Sequence, residues 1–378
     1  MSDRRGTTTL DNLPEEIIID QILVRLSPKD IGRCRAVCPS WRAATSMPKF
    51  MLDHHNCQPS LPIIDGDGKP ASVIIFRDGH AGAKSSVSEG GQFYICNPII
   101  CQHTLLPQPR SGKGIYNTIT GLYQHHPTGE YRVLWVSGNL YEDKWYSSLS
   151  RVKAYILTVG SNQPRCISVE QPTMSSPSVQ DTFELSDRMS RCNRCPPLHY
   201  RANLHWCHGR FKDLTGESGK IVVFDTMHES SQWMLGPQKG FWEKLLDMKG
   251  TLAFASYPVP DLTVINIWVM HDYGAQIWSF KYRIDMSMIE ASRPLGLTSL
   301  EGKKQKKQLS GTTVRFFDDI VVLNESELLI GFNSKYVLHY NIEGKFLQMV
   351  RISKRQYCME LTRHRLQESI VPIPSGRI

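Results

Sequence analysis

Six cysteine and histidine side chains between residues 192 and 208 are of the types that bind metals. They are Cys192, Cys195, His199, His205, Cys207 and His208. A Cys-x2-Cys pair followed by histidines is a spacing that can hold tetrahedral zinc, with Cys192, Cys195, His199 and His205 as the ligand set. The sequence has no second Cys-x2-Cys pair, and His205 is explained by a Leu-His-Trp strand. We therefore expect no metal or other cofactor, and a zinc assay on the purified protein tests this.

Motifs for covalent catalysis are missing from the sequence. It contains neither a Gly-x-Ser-x-Gly nucleophile elbow nor a Gly-rich phosphate loop. Cys34 and Cys38 stand four residues apart in an apolar helical context, which is typical of small buried side chains rather than of a redox pair. The sequence therefore favours a binding protein over an enzyme.

The composition limits the partners and the compartment. The net charge of +8 is spread over the 378 residues, which does not favour nucleic-acid binding. One dense basic run, Lys303 to Lys307, fits a solvated loop better than a nuclear signal. No apolar run approaches the ~20 residues that span a membrane, and residues 1–12 are polar. We expect a protein of the nucleus and/or cytoplasm that is not secreted, does not bind membranes and keeps its cysteines as thiols.

Three short helices are predicted between residues 13 and 50. Pro14 suits a first helical position, and Ser27 is an N-cap followed by Pro28 and, three residues after the cap, Asp30. Pro39 is expected to begin the third helix.

The first of these helices has apolar residues on two sides. At ~100° per residue, one arc contains Ile18, Ile19, Ile22, Leu23 and Leu26, whereas Ile17 and Val24 lie opposite. A segment of this length can hardly bury both sides by itself. The second side must pack on the rest of the chain or be covered by another protein.

The segment resembles the F-box, which docks substrate receptors onto the Skp-type adaptor of SCF (Skp–cullin–F-box) ubiquitin ligases. The matching residues are Leu13-Pro14, Ile22-Leu23, Arg25-Leu26, Pro28-Lys29-Asp30, Arg33-Cys34-Arg35, Val37-Cys38 and Ser40-Trp41-Arg42, and the run from Arg33 to Arg42 is similar to the plant form. The resemblance implies that the adaptor is bound by Leu13, Pro14, Ile18, Ile22, Leu23, Leu26, Pro28, Ile31, Arg35, Val37, Cys38 and Trp41.

Two features depart from the common F-box pattern. The first helix is one residue longer, which leaves open which of Ile17, Ile18 and Ile19 faces the adaptor. Gly32 stands where the family usually has a large aliphatic residue, which costs ~1 kcal/mol of helix propensity.

Short strands separated by turn residues are predicted from about residue 72 to residue 350. Three hairpins share one pattern, in which an apolar strand ends in Asn or Asp at a turn and a second apolar strand returns. They are Phe93–Asn97 with Leu105–Pro107, Val222–Thr226 with Trp233–Pro237, and Leu338–Asn341 with Phe346–Leu347. Repeated hairpins over so long a region favour a β-propeller over a single sandwich of ~100 residues.

This region resembles the plant F-box-associated domain. The matching pieces include Ile95–Pro98, Gly121–Tyr123, Thr128–Leu134, Leu204–Trp206, Ile221–Thr226, Leu245–Ala253, Ile267–Met270 and Ile277-Trp278. The prediction is an α+β multidomain chain, with a small three-helix F-box followed by a large all-β domain that forms an irregular β-propeller. Its predicted divisions are a disordered N-terminus (1–12), the F-box (13–52), a linker (53–70), the β-domain (71–352) and a C-terminal tail (353–378).

The two resemblances imply a non-catalytic substrate-recognition subunit of an SCF-type ligase. Its partners would be the Skp-type adaptor, through it the cullin and RING subunits, and an unknown target protein. Two alternatives stay open: an F-box module that acts outside the ligase and binds a glycan or small ligand on the propeller face, and a zinc-dependent hydrolase built on the Cys/His group.

Overall fold

The fold is described from a computed structural model of the chain. The structure describes residues 13–58, 61–65, 74–75, 82–83, 93–97, 99–112, 114–139, 153–167, 196–207, 220–237, 242–257, 264–285, 317–324, 326–332, 336–350, 360–366 and 368–373.

Four α-helices and two shorter helical turns form the N-terminal part. Helix α1 (Glu15–Ile17) runs on into a π-helical turn (Ile18–Ile22) and a 3₁₀ turn (Leu23–Arg25), and α2 (Pro28–Val37), α3 (Pro39–Thr45) and α4 (Pro48–Cys57) follow. Each of the last three has proline in its first turn, where a missing N–H costs nothing. The three predicted helices are present, whereas α4 was not predicted and occupies the start of the expected linker. No helix in these described ranges is long and apolar enough to cross a membrane.

The β-region contains 22 described strands. They are β1 (Leu61–Asp65), β2 (Ile74–Ile75), β3 (Gly82–Ala83), β4 (Phe93–Asn97), β5 (Gln102–Leu106), β6 (Ile115–His125), β7 (Glu130–Asn139), β8 (Lys153–Thr158), β9 (Arg165–Cys166), β10 (Leu198–Tyr200), β11 (Asn203–Cys207), β12 (Lys220–Asp225), β13 (Ser230–Leu235), β14 (Glu243–Asp247), β15 (Leu252–Ser256), β16 (Val264–Asp272), β17 (Ile277–Asp285), β18 (Phe317–Val322), β19 (Glu327–Phe332), β20 (Tyr336–Asn341), β21 (Phe346–Val350) and β22 (Glu360–Leu366).

These strands form five four-stranded sheets and one two-stranded sheet. The first four-stranded sheet has the order β3-β2-β4-β5, with β2 parallel to β4. The other four are antiparallel meanders in chain order: β6 to β9, β10 to β13, β14 to β17 and β18 to β21. None of these sheets closes on itself. The prediction of a helical module followed by a large all-β region is confirmed.

Consecutive sheets pack face to face. One hydrophobic cluster joins the first and second sheets, and similar clusters join the second to the third, the third to the fourth and the fourth to the fifth. Leu361 of β22 packs on the fifth sheet, and β22 also contacts β3 of the first sheet. This succession of stacked meanders is the packing that a propeller-like fold requires.

The three hairpins singled out in the sequence are the last two strands of the first, third and fifth sheets. In each, the side-chain oxygen of the turn residue accepts a backbone N–H: Asn97 from Ile99 at 3.1 Å, Asp225 from Met227 at 2.7 Å, and Asn341 from Lys345 at 2.7 Å. The predicted role of Asn and Asp at these turns is confirmed.

The expected linker and the expected tail each contain a strand. Strand β1 lies in the expected linker, β22 lies in the expected tail, and the two form an antiparallel pair in which Leu61 is opposite Leu366. Local sequence gave no signal for this pair because the partners are separated by almost the whole chain.

Candidate functional site

The helical segment (residues 13–58) has one buried side and one exposed apolar side. Its core contains Ile18, Leu23, Val24, Ile31 and Phe50, with Ile370 from the far end of the chain. Six of the fourteen exposed large apolar side chains in the described ranges lie in this short segment: Leu13, Ile17, Ile22, Val37, Met47 and Leu52. Apolar surface concentrated in this way is typical of a protein–protein contact.

A π-helical turn decides which side chains are exposed. The N–H of Leu23 donates to the carbonyls of both Ile18 and Ile19. A π-turn holds one residue more than an α-turn, so the residues after it are rotated by about 100°. Leu23 and Val24 therefore face the core. The predicted arc, which put Val24 opposite Leu23, is wrong because it assumed an uninterrupted α-helix.

The same turn brings two isoleucines to the outside. Residues five apart lie nearly above one another across a π-turn. Ile17 and Ile22 are accordingly both exposed. This geometry answers the question left open by the three consecutive isoleucines: Ile17 faces outward, Ile18 faces inward, and Ile19 is partly buried.

The start of α2 is capped as the sequence predicts. Ser27 Oγ accepts the N–H of Asp30 at 3.3 Å and donates to Asp30 Oδ2 at 2.7 Å. The hydrogen bond from Ser27, followed by that from Arg33, lowers the pKa of the Asp30 carboxyl. The charged carboxylate also complements the positive end of the helix.

Helices α2 and α3 are joined by the side chain of Arg35. Its Nε donates to Thr45 Oγ1 at 2.9 Å, and its Nη2 donates to the Thr45 carbonyl. Thr45 Oγ1 in turn donates to the Trp41 carbonyl at 2.6 Å, and Arg42 Nε donates to the Arg35 carbonyl at 2.8 Å. Arg35 therefore holds the two helices together.

The junction of α2 and α3 lies near the first helical stretch, because α3 contacts the π-helical turn. A hydrogen bond with Ser40 lowers the pKa of the Cys38 thiol. Val37, the last residue of α2, is exposed, as are Leu13 and Ile17. We call Leu13, Ile17, Ile22 and Val37 the exposed apolar face.

Helix α4 is tied to the end of the first helical stretch. The Leu26 carbonyl interacts with His54 Nε2 at 2.9 Å and accepts from Gln58 Nε2 at 3.0 Å. Burial lowers the pKa of His54, which favours the neutral form of the ring. The two contacts fix α4 against the break that separates the first helical stretch from α2.

A C-terminal strap (residues 368–373) joins the helical segment to the β-region. Ile370 is buried in the core of the helical segment. Three residues later, Ile373 is buried in the cluster between the first and second sheets. The strap therefore contributes to both hydrophobic cores.

Hydrogen bonds fix the strap to the first sheet. Asn97 Nδ2 donates to the carbonyls of Ser369 at 3.1 Å and Val371 at 2.8 Å. The N–H of Ile373 donates to Gln102 Oε1 at 2.8 Å. Because Asn97 is buried, these bonds are shielded from competing water. The helical segment is thereby held in a defined position relative to the first sheet.

Residues 74–370 match the family described as the F-box associated beta propeller domain, which covers more than half of the chain. The chain belongs to this family. Residues 10–55 match the F-box-like family, so the helical segment is the F-box. No curated protein matches the chain.

Among solved structures, the chain is similar to the crystal structure of BamB from Moraxella catarrhalis. The two are 9% identical over 78% of this chain and 92% of that chain, with a TM-score of 0.26. A similarity this weak carries no argument.

The predicted docking residues of the F-box fall into three groups. Leu13, Pro14, Ile22 and Val37 are exposed, and Leu26, Arg35, Cys38 and Trp41 are partly buried. Ile18, Leu23 and Ile31 are buried in the core of the helical segment, which also contains Ile370 of the strap, and Pro28 is buried as well. That these four contact a partner stays a prediction. Ile17 was missed, although the run of three isoleucines pointed to it.

The candidate zinc ligands are only partly within the described ranges. Cys192, Cys195 and His208 lie outside them, as does the basic run Lys303 to Lys307. His205 is buried in β11, where Nδ1 is 3.2 Å from the Leu198 carbonyl and Nε2 is 2.8 Å from Tyr273 Oη. Both ring nitrogens thus have protein partners, which speaks against His205 as a metal ligand. Among the described residues, no three Cys, His, Asp or Glu side chains are placed to hold a metal.

His205 should make the β-domain acid-sensitive. Burial lowers its pKa to about 4 from an ordinary value of 6.5. Below pH 6.5 the unfolded chain therefore takes up a proton that the folded chain excludes. The free energy of unfolding is accordingly highest above pH 6.5 and decreases toward pH 4. The expected loss is on the order of 3 kcal/mol, to be measured by urea unfolding across this range. His205→Gln should flatten the dependence, and identical pH slopes for the two proteins would contradict the assignment.

Gly32→Ala should stabilise the F-box. Gly32 is exposed in α2, and an added Cβ would meet no atom within 4 Å. Alanine in place of glycine should therefore add about 1 kcal/mol of helix propensity, measured by native-state hydrogen exchange. Gly129 is the matched control: a Cβ there also has open space, but its φ of +70° strains an L-residue. Gly129→Ala should lower the free energy of unfolding. Changes of the same sign in the two variants would contradict these expectations.

Proposed function

We propose that the chain is the substrate-recognition subunit of an SCF-type ubiquitin ligase. The observation that carries this proposal is the exposed apolar face of the F-box, which lies on a folded helical module and leaves Ile17, Ile22 and Val37 open to a second protein. In the proposed complex, a Skp-type adaptor covers this face and links the chain to cullin and RING subunits. The similarity of residues 33–42 to the plant form stays a prediction.

The proposed mechanism is proximity, with no chemistry from this chain. Families of this kind act as binding adaptors, and we propose the same here. A receptor that holds its target lysine near a charged conjugating enzyme converts a bimolecular encounter into a local one. The strap supports this role, because an F-box fixed to the first sheet presents the target in a constant orientation. We propose the nucleus and/or cytoplasm as its location, because the proposed ligase would act there.

Proximity labelling with two baits tests the proposal in cells. The wild-type bait should label the adaptor, cullin, RING subunit and target together. A bait with Ile22→Asp should lose the first three while the target accumulates on it, since the target is no longer degraded. Labelling of the adaptor without cullin and RING would instead support an F-box module that acts outside the ligase.

A further inference from the structure

A cleft opens between the fourth and fifth sheets of the β-domain. Its volume is about 220 Å³. The apolar part of its lining is Met248, Val269 and Val322, and the polar part includes Lys249, Lys281 and Tyr282. Val269 and Tyr282 are on the side of the fourth sheet that packs on the fifth. The cleft therefore follows the junction of two sheets.

The lining includes two lysines and, among the described residues, neither aspartate nor glutamate. The Lys281 ammonium lies 5.3 Å from the centroid of the Tyr282 ring, which holds the cation over the aromatic face. Asn324 also belongs to the lining, and its side-chain amide donates to the Glu327 carboxylate. Glu327 itself does not line the cleft, and its carboxylate is 3.4 Å from His339 Nε2.

The size of the cleft suits one amino-acid side chain. Pockets for drug-sized ligands are about 300–1,000 Å³, so 220 Å³ is too small for a cofactor or an oligosaccharide. Lysine cations above an apolar floor complement a carboxylate on a short apolar stem, as in glutamate.

A strand edge with which no described strand pairs runs beside the cleft. Lys281 and Tyr282 belong to β17, the last strand of the fourth sheet, and the only described strand that pairs with it is β16. Its other edge offers backbone N–H and C=O groups to an extended peptide. Phe280 and Ile277 on the same strand are exposed apolar side chains.

We infer that this cleft anchors an acidic side chain of the target protein, within an extended apolar segment that lies along β17. This inference rests on the proposed receptor function and names its substrate class. Lys281 makes the ionic contact, the apolar floor covers the stem, and the β17 edge orients the backbone.

Peptide selection tests the inference. A phage-displayed library of random 12-residue peptides is panned on the full chain bound to its adaptor. Selected peptides should carry Asp or Glu beside an apolar residue. Lys281→Glu should weaken their binding by about tenfold or more, because it replaces attraction by repulsion. Changing the acidic residue of the peptide to lysine should restore binding to that variant. Lys153→Glu, an exposed change in the second sheet, should have no effect.

Three outcomes would overturn the inference. They are selection of no peptides, selection of peptides without an acidic residue, and equal affinities of one peptide for wild type and Lys281→Glu. Because adaptor binding is measured on the same preparations, loss of the peptide preference with the adaptor still bound refutes this inference alone. Loss of adaptor binding by the wild type would instead refute the receptor function.

Discussion

Ile22→Asp is expected to abolish binding of the Skp-type adaptor while the chain stays folded. Ile22 is 38% exposed in the free chain, so the carboxylate of an aspartate there stays hydrated. In the complex, the same carboxylate would be buried without a partner, which costs several kcal/mol. The affinity should fall by about 100-fold or more, measured by titration calorimetry on the full chain. Val37→Asp should act in the same direction, since Val37 belongs to the same exposed apolar face.

Two further variants separate docking from folding. Leu347→Asp changes a side chain of the β-domain that is 42% exposed, and adaptor binding should be unaffected. Leu23→Asp changes a side chain that is only 3% exposed in the F-box core, so it should unfold the module and lower the melting temperature. Unchanged adaptor affinity for both Ile22→Asp and Val37→Asp would show that this face is not the docking surface.

Ile370→Ala should loosen the F-box from the β-domain. The side chain is 4% exposed and packs among the helices, so its truncation leaves a cavity that costs about 2–5 kcal/mol. This loss of stability should be confined to residues 13–58, where amide hydrogen exchange is expected to accelerate. Exchange in the third and fourth sheets should stay at wild-type rates, because the described contacts of the strap are with the F-box and with the first and second sheets.

Ile342→Ala is the matched control for this experiment. It removes the same atoms from a side chain that is 8% exposed between the fourth and fifth sheets. It should destabilise the β-domain and leave exchange in the F-box unchanged. If Ile370→Ala left the F-box amides as protected as in the wild type, the strap would not be what holds this module.

Local signals were sufficient for most elements of the fold. Prolines marked the starts of the three predicted helices, and Asn97, Asp225 and Asn341 marked the hairpin turns. These residues act through hydrogen bonds to neighbours a few positions away, so their effect can be deduced from the sequence alone. The β1–β22 pair and the strap depend instead on residues some 300 positions apart, for which periodicity has no signal.

The sequence indicated that the first helical stretch has an exposed apolar surface, but not which residues form it. An excess of apolar residues in the first helical stretch was evident from composition. Which of them face outward depends on the π-turn, which accommodates the residue that this helix has in addition to the common F-box pattern. The turn moved Val24 into the core and left Ile17 outside, and no local rule places such a turn in advance.

Hydrogen–deuterium exchange of the full chain, with and without one equivalent of purified Skp-type adaptor, shows whether the adaptor covers the exposed apolar face. Peptides that include this face, within residues 13–47, should become protected, and the five four-stranded sheets should gain no protection. Protection confined to the sheets, or no change anywhere at adaptor concentrations that saturate another F-box protein, would show that the adaptor does not bind there.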